Sequence, residues 1–219
     1  MQKRPNLKIE AGLYELGFSF VGGIDEAGRG ALAGPLVAAC VILPRDKIIY
    51  RINDSKALAS HERRVIAEKI KSAAISWAIG ISSVAEINLY GIQSSSYLAF
   101  ERAVKALRKK PDFILIDHYR YPKCDIPQRS ITKGDQISLS IAAASIIAKT
   151  ERDNILIALN KKLDFKKYGF AANFGYGTKK HFHAIRRFGK TKYHRNKFLG
   201  IDKRAQTVFN FDKGNKKGE

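Results

Sequence analysis

Apolar positions recur along the chain with two periods. Residues 20–25, FVGGID, read as a strand that ends in acids. Residues 36–43, LVAACVIL, are apolar without a break over the length of one strand, as expected of a central strand covered on both faces. Residues 75–81 set Ile75, Trp77, Ile79 and Ile81 against Ser76, Ala78 and Gly80, a strand with period two. Residues 113–117, FILID, form a short buried strand that again ends in an acid. The other segments have helical spacing. Residues 60–72 make a charged amphipathic helix with Ser60 as its N-cap. Residues 85–109 carry Ile87, Leu89, Ile92, Tyr97, Phe100, Val104 and Leu107, until Pro111 stops the helix. Residues 136–163 form a long helix with Ile141, Ala144, Ala148, Ile155, Leu159 and Leu163 on or near one face, and the small run 142–144 allows it to lie close to a sheet. The order is three early strands, then helix, strand, helix, an α/β layered domain.

Composition narrows the class. A chain of 219 residues, 45% hydrophobic, buries a full core and suggests one domain. No apolar run approaches the ~20 residues of a membrane helix. The first ten residues, MQKRPNLKIE, lack the apolar core of a signal peptide. Cys40 and Cys124 have no CxxC spacing and are expected as reduced thiols in a cytoplasmic protein.

Charge points to a partner. The formal net charge is +20, a field that favours a polyanion. No basic helix has a large apolar face, so nucleic acid is preferred over a membrane surface. The bias is strongest late in the chain. Residues 161–217 hold 17 Lys/Arg against Asp164, Asp202 and Asp212, with 11 of the 21 Phe and Tyr. Basic residues interleaved with aromatics suit a groove that tracks a phosphate backbone. They also suit a helical subdomain with a small aromatic core, and both are expected together. The division expected is residues 1–165 as the catalytic body and 166–219 as a basic, aromatic-rich helical region and tail.

Four acids stand out by position. Asp25 and Glu26 end one strand, Asp117 ends another, and Asp135 is expected to open the long helix, whose N-terminus would favour its ionised form. Strand C-termini in an α/β sheet share an edge, where sites form. If the strands of Asp25 and Asp117 are parallel neighbours, their carboxylates converge. Converging carboxylates repel unless a cation lies among them. Hard divalent ions take oxygen ligands, and two of them ~4 Å apart can activate water against a phosphodiester. Each acid also has a local explanation: Asp135 as an N-cap, Asp117 as a turn residue, Asp153 and Asp54 as partners of nearby Arg152 and Lys56. The adjacent pair Asp25–Glu26 fits no such explanation. Residues 28–33, GRGALA, match a loose dinucleotide-binding pattern. That pattern needs a helix next, whereas Pro35 and another strand follow.

Residues 23–43, GIDEAGRGALAGPLVAACVIL, closely resemble the signature of the ribonuclease HII family, the type 2 ribonucleases H. Residues 53–56 (NDSK), 113–117, 133–153 (KGDQISLSIAAASIIAKTERD) and 175–178 (GYGT), followed by His181, His194 and Arg195, are similar to its other blocks, in the same order. The resemblance implies a ribonuclease H-like fold: a mixed central sheet flanked by helices, with a small helical C-terminal extension. It implies an endonuclease dependent on Mg²⁺ or Mn²⁺ that acts on RNA/DNA hybrids and on ribonucleotides embedded in duplex DNA. The family's metal-binding carboxylates fall on Asp25, Glu26, Asp117 and Asp135. Its 2′-hydroxyl-sensing loop falls on Gly28, Arg29 and Gly30, its phosphate contacts on Ser55 and Lys56, and its junction-reading tyrosine on Tyr176. One departure is His118, where the family has glycine. Tyr119, Arg120 and Tyr121 beside it are unusual and are expected near nucleic acid. The extra N-terminal domain of the type 3 relatives is not seen.

The implied chemistry is in-line attack of water on the phosphate 5′ to a ribonucleotide, leaving a 3′-hydroxyl and a 5′-phosphate, by a monomer. Residues 206–211, QTVFNF, loosely resemble peptides that dock on sliding clamps; a terminal strand or loose tail is the plainer alternative. Two other functions compete. A non-catalytic nucleic-acid-binding protein explains the charge but has no use for the four acids. Another nuclease of the same fold, such as a junction resolvase, has no use for a 2′-hydroxyl sensor at Arg29.

Overall fold

The computed structural model describes residues 4–45, 59–122 and 124–196. Ser55, Lys56 and Asp54, and the 206–211 segment, lie outside the described residues. A five-stranded sheet runs through the molecule: β1 (Val21–Ala27), β2 (Leu36–Ile42), β3 (Ser76–Ser82), β4 (Phe113–Asp117) and β5 (Gln128–Ile131), in the order β3-β2-β1-β4-β5. β3, β2 and β1 are antiparallel, while β1, β4 and β5 are parallel. Among the described residues seven helices accompany it: α1 (Lys8–Glu15), α2 (Ser60–Ala73), α3 (Val84–Ala106), α4 (Leu139–Asn160), α5 (Leu163–Lys166), α6 (Phe170–Asn173) and α7 (Lys179–Phe188). This is the mixed sheet flanked by helices that the resemblance implies.

The unbroken apolar run of β2 is used on both faces. Leu36, Ala38, Cys40 and Ile42 pack with Ala99, Phe100 and Ala103 of α3. Ala39 and Val41 pack with Ala143, Ile146 and Ile147 of α4 and Ile66 and Ile70 of α2. Glycines set how closely the helices approach. A Cβ on Gly23 would lie 2.1 Å from the Ser140 carbonyl carbon of α4, and one on Gly80 would lie 2.0 Å from the Ala99 carbonyl oxygen of α3. Only glycine permits those two contacts.

Several expectations change here. In β3 the buried face is the small one, Ser76, Ala78, Gly80 and Ser82, because α3 lies directly on it; Trp77 and Ile79 are half-buried and Ile81 is exposed. Ser60 is not the N-cap of α2: Ala59 is, and its N–H donates to the Glu62 carboxylate at 3.2 Å. α3 is capped by Ser83 and kinks at Gly91, where φ is 80°. The expected long helix is divided into a 3-10 turn, Gly134–Gln136, and α4, which starts at Leu139 with the Ser138 hydroxyl accepting from the Ile141 N–H at 3.2 Å. The polar edge strand β5 and the helix α1 carry no periodic signal and were not expected.

The C-terminal aromatics are partly core, as expected. Tyr168, Phe170, Ala184 and Ile185 pack on Leu32, Ala33 and Leu156. That packing fixes residues 168–185 against the loop that follows β1.

Candidate active site

β1 and β4 are parallel neighbours with Ile24 beside Ile116 in register, and their pairing stops there, so the next residues, Asp25 and Asp117, lie side by side. Asp117 ends β4 as expected, but Asp25 and Glu26 do not end β1, which runs on along β2 to Ala27. A cavity of about 480 Å³ opens there. Asp25, Glu26, Asp117 and Asp135 all line it, together with Gly28, Arg29, Gly30 and Tyr176. The four acids singled out in the sequence are thus brought to one pocket.

Asp135 arrives by a different route from the one expected. It is not at the N-terminus of the long helix, where Ser138 already serves as the cap. It sits on the 3-10 turn, which is tied to the sheet by the Gly134 N–H donating to Asp117 Oδ1 at 2.7 Å. The turn's attachment to β4 explains its position.

Asp25 and Glu26 are held where their charges are costly. Burial raises the Asp25 carboxyl well above its usual range, and the nearby Glu26 and Asp117 raise it further, against the hydrogen bonds from the Ser145 hydroxyl and the Glu26 N–H. Burial raises Glu26 to about 7, with Asp117 adding and Arg29 opposing. Arg29 lies 3.6 Å from Glu26 and is otherwise committed: it donates to Ser96 Oγ at 2.9 Å and Gln93 Oε1 at 3.1 Å on α3, and it stacks over Tyr119 at 4.4 Å.

This donor set fits a hard divalent cation, because it is all carboxylate and its main electrostatic deficit is a missing positive charge. Among the described residues, no three potential ligands are gathered tightly enough to hold an ion unaided. The acids line an open cleft, which suits a hard divalent ion that keeps several of its waters.

Gly28 and Gly30 differ in origin. Gly28 has φ 98°, and a Cβ there would lie 2.0 Å from Arg152 Nε, so the fold itself requires glycine. A Cβ on Gly30 would meet nothing within 4 Å, so its absence leaves space on the pocket side. Two arginines support this loop; from the sequence, Arg152 is expected only to pair with Asp153 and Arg195 has no role. Arg195, fully buried, donates to the carbonyls of Gly28 (2.7 Å), Arg29 (3.1 Å), Gly34 (2.9 Å) and Pro35 (3.1 Å). Arg152, also fully buried, donates to Pro35, Ala33 and Phe174 carbonyls. Asp153 consequently does not pair with Arg152; it binds Arg63 at 2.9 Å and Lys149 at 2.6 Å. The signal available was their place in the 133–153 and 194–195 blocks, beside loops that need carbonyl partners.

Tyr176 is held by the same loop. The Gly175 carbonyl accepts from the Leu32 and Ala33 N–H groups at 2.8 and 3.1 Å, and the Tyr176 ring lies 5.2 Å from the Arg152 guanidinium and 5.4 Å from Lys149 Nζ. Lys149 and Ser145, both from α4, join the pocket lining and were not expected there. His118, at the family's glycine position, has φ 63°, the left-handed region that glycine favours. Of its neighbours, Tyr119 lines the pocket, whereas Tyr121 is core, stacked on Tyr97, and cannot meet nucleic acid. Among the described residues, no helix is long and apolar enough to cross a membrane. Cys40 and Cys124 are both free thiols.

Comparison with known proteins shows what the chain and its fold are similar to. The profile of the family described as Ribonuclease HII matches residues 22–200. A ribonuclease HII of Clostridioides difficile is 45% identical over 186 residues, 85% of this chain and 72% of the relative. Among solved structures, the ribonuclease HII of Archaeoglobus fulgidus, in its complex with PCNA, superposes with a TM-score of 0.68 at 21% identity, covering 82% of this chain and 95% of that one. A Bst ribonuclease HIII in complex with Mn²⁺ gives a TM-score of 0.64 at 20% identity, covering 86% of this chain and 70% of that one. The profile match over residues 22–200 and the 45% identity to the Clostridioides relative show that the chain belongs to the ribonuclease HII family and is a ribonuclease H hydrolase.

Proposed function

We propose that this ribonuclease cuts RNA in RNA/DNA hybrids and also cuts duplex DNA on the 5′ side of a single embedded ribonucleotide, leaving a 3′-hydroxyl and a 5′-phosphate. The observation that carries the proposal is the sharing of one cavity by the four acids, the Gly28–Gly30 loop and Tyr176. Cleavage and recognition of the sugar then occur side by side.

Asp25, Glu26, Asp117 and Asp135 would hold Mg²⁺ or Mn²⁺, which when bound supplies Lewis-acid activation of water and neutralises the leaving oxygen. The chain's residues do the rest. The backbone at Gly28–Gly30, its carbonyls already engaged by Arg195 at Gly28 and Arg29, presents its open side at Gly30 to the ribose 2′-hydroxyl. That hydroxyl separates RNA from DNA at a single sugar. The Tyr176 ring packs against the next deoxyribose, where a second 2′-hydroxyl would clash. The net charge of +20 draws the duplex in and makes binding salt-dependent. Ser55 and Lys56 are proposed phosphate contacts, and residues 206–211 a clamp-docking peptide, in keeping with the PCNA complex of the Archaeoglobus relative.

The test is cleavage of two duplexes, one with a single ribonucleotide and one an all-RNA hybrid, with Mg²⁺ and Mn²⁺ compared. Cutting of both, with Tyr176→Ala losing the single-ribonucleotide substrate more than the hybrid, supports the proposal. A wild-type protein that cuts the hybrid and leaves the single ribonucleotide intact refutes the finer part of it.

A further inference from the structure

Two buried histidines, His181 and His194, stand behind the pocket wall, 0% and 1% exposed. The rings of Tyr168 and Phe170 enclose them. Their nitrogens form a single directed chain. The Thr191 backbone N–H donates to His194 Nδ1 at 2.9 Å, so that nitrogen carries no proton and the ring's proton sits on Nε2. His194 Nε2 lies 3.2 Å from His181 Nε2, which must then be the acceptor. The remaining proton of His181 is on Nδ1, which donates to the Tyr176 carbonyl at 2.8 Å. The Thr191 hydroxyl, which accepts from the Tyr193 N–H, also lies 2.9 Å from His194 Nδ1 and can donate to it, so this assignment leaves both rings neutral.

The chain joins the two backbones that face the pocket. One end is Tyr176 itself. At the other end, His194 bridges to Ala33, the Tyr193 carbonyl accepts from the Gly34 N–H at 2.9 Å, and the Arg195 N–H donates to the Leu32 carbonyl at 2.8 Å. The Arg195 side chain then grips Gly28 and Arg29.

We propose that His181 and His194 are positioning residues for recognition: as a neutral pair they fix the distance between Tyr176 and the Gly28–Gly30 loop, and so the width of the slot a ribonucleotide-bearing strand must fit. This rests on both walls meeting the substrate, as proposed above. With these tautomers an extra proton on His181 would set two N–H groups against each other across the 3.2 Å contact, and one on His194 Nδ1 would face the Thr191 N–H at 2.9 Å. The surroundings oppose such a proton. Burial and His181, with a smaller push from Lys190, hold His194 down to about 4 against the Thr191 backbone, and burial lowers His181 against its bond to the Tyr176 backbone.

Nitrogen-15 NMR of the histidine side chains, on the full chain without substrate, tests the pair directly. The expected spectrum at pH 6, where an ordinary histidine is largely protonated, shows His194 neutral with its proton on Nε2 and His181 neutral with its proton on Nδ1. The opposite tautomers, or protonation of either ring at pH 6, overturn the proposal. Two variants test the consequence. His181→Phe keeps a ring and loses the bond to Tyr176; His181→Asn keeps a donor close to the Nδ1 position. With a single-ribonucleotide duplex, His181→Phe should raise KM by up to about 100-fold, the scale of a small misplacement. The Mn²⁺ concentration for half-maximal activity should not move, and His181→Asn should recover most of the loss. Equal behaviour of the two variants, or a loss that appears in the metal requirement, overturns it. A wild type that cleaves neither substrate would sink the functional proposal and leave the spectroscopic result standing.

Discussion

Replacing Glu26 by glutamine should stabilise the metal-free protein at alkaline pH. Glu26 has its carboxyl raised from 4.5 to about 7, first by burial and then by Asp117, against the pull of Arg29. A raised carboxyl keeps its proton in the folded state after the unfolded chain has lost it. Stability is therefore complete below pH 4.5 and falls as the pH rises through about 7. At 1.36 kcal/mol per unit, the interval corresponds to about 3 kcal/mol by pH 8. Glutamine preserves the shape and removes the charge, so it should recover much of this, a rise of roughly 6 to 12 °C in Tm for a domain of this size. The assay is thermal unfolding in chelator at pH 8 and pH 5, then at pH 8 with Mn²⁺. Glu26→Gln should exceed wild type at pH 8, exceed it by much less near pH 5, and gain less from Mn²⁺. A variant no more stable than wild type at pH 8, or a difference as large at pH 5 as at pH 8, would refute the claim that the charge of Glu26 is held under strain.

Gly28→Ala should prevent correct folding or lower Tm sharply, because its Cβ would meet Arg152 at 2.0 Å at a φ of 98°, whereas Gly30→Ala should keep the wild-type Tm and lose substrate affinity. Circular dichroism melts and a binding titration separate the two. His118→Gly should raise stability by about 1 kcal/mol in urea unfolding, since a β-carbon at φ 63° costs that much and glycine does not incur it.

The sequence exposed the sheet strands through their apolar runs, and the acids stood out because strand ends are sharp in such a pattern. β2 was legible for a physical reason: burial on both faces leaves no polar position. β3 was legible as a strand and misleading about its face, because tight packing of α3 selects small residues over large ones. β5 and α1 lack a periodic stripe, the first being a polar edge and the second resting few residues on the body. At the site, residue identity located the acids. It could not reveal that Asp135 rides on a 3-10 turn, or that Arg152 and Arg195 spend their charges on backbone carbonyls. Both depend on which loops the fold brings together, and nothing local in the chain records that.

The central claim is that the Asp25 pocket performs the cleavage. Its most direct test is Asp25→Asn, assayed with wild type for nicking of a duplex carrying one ribonucleotide in Mg²⁺ or Mn²⁺, with duplex binding measured alongside. The account predicts that the variant still binds the duplex and does not cut it. Cutting by Asp25→Asn at near the wild-type rate would contradict it.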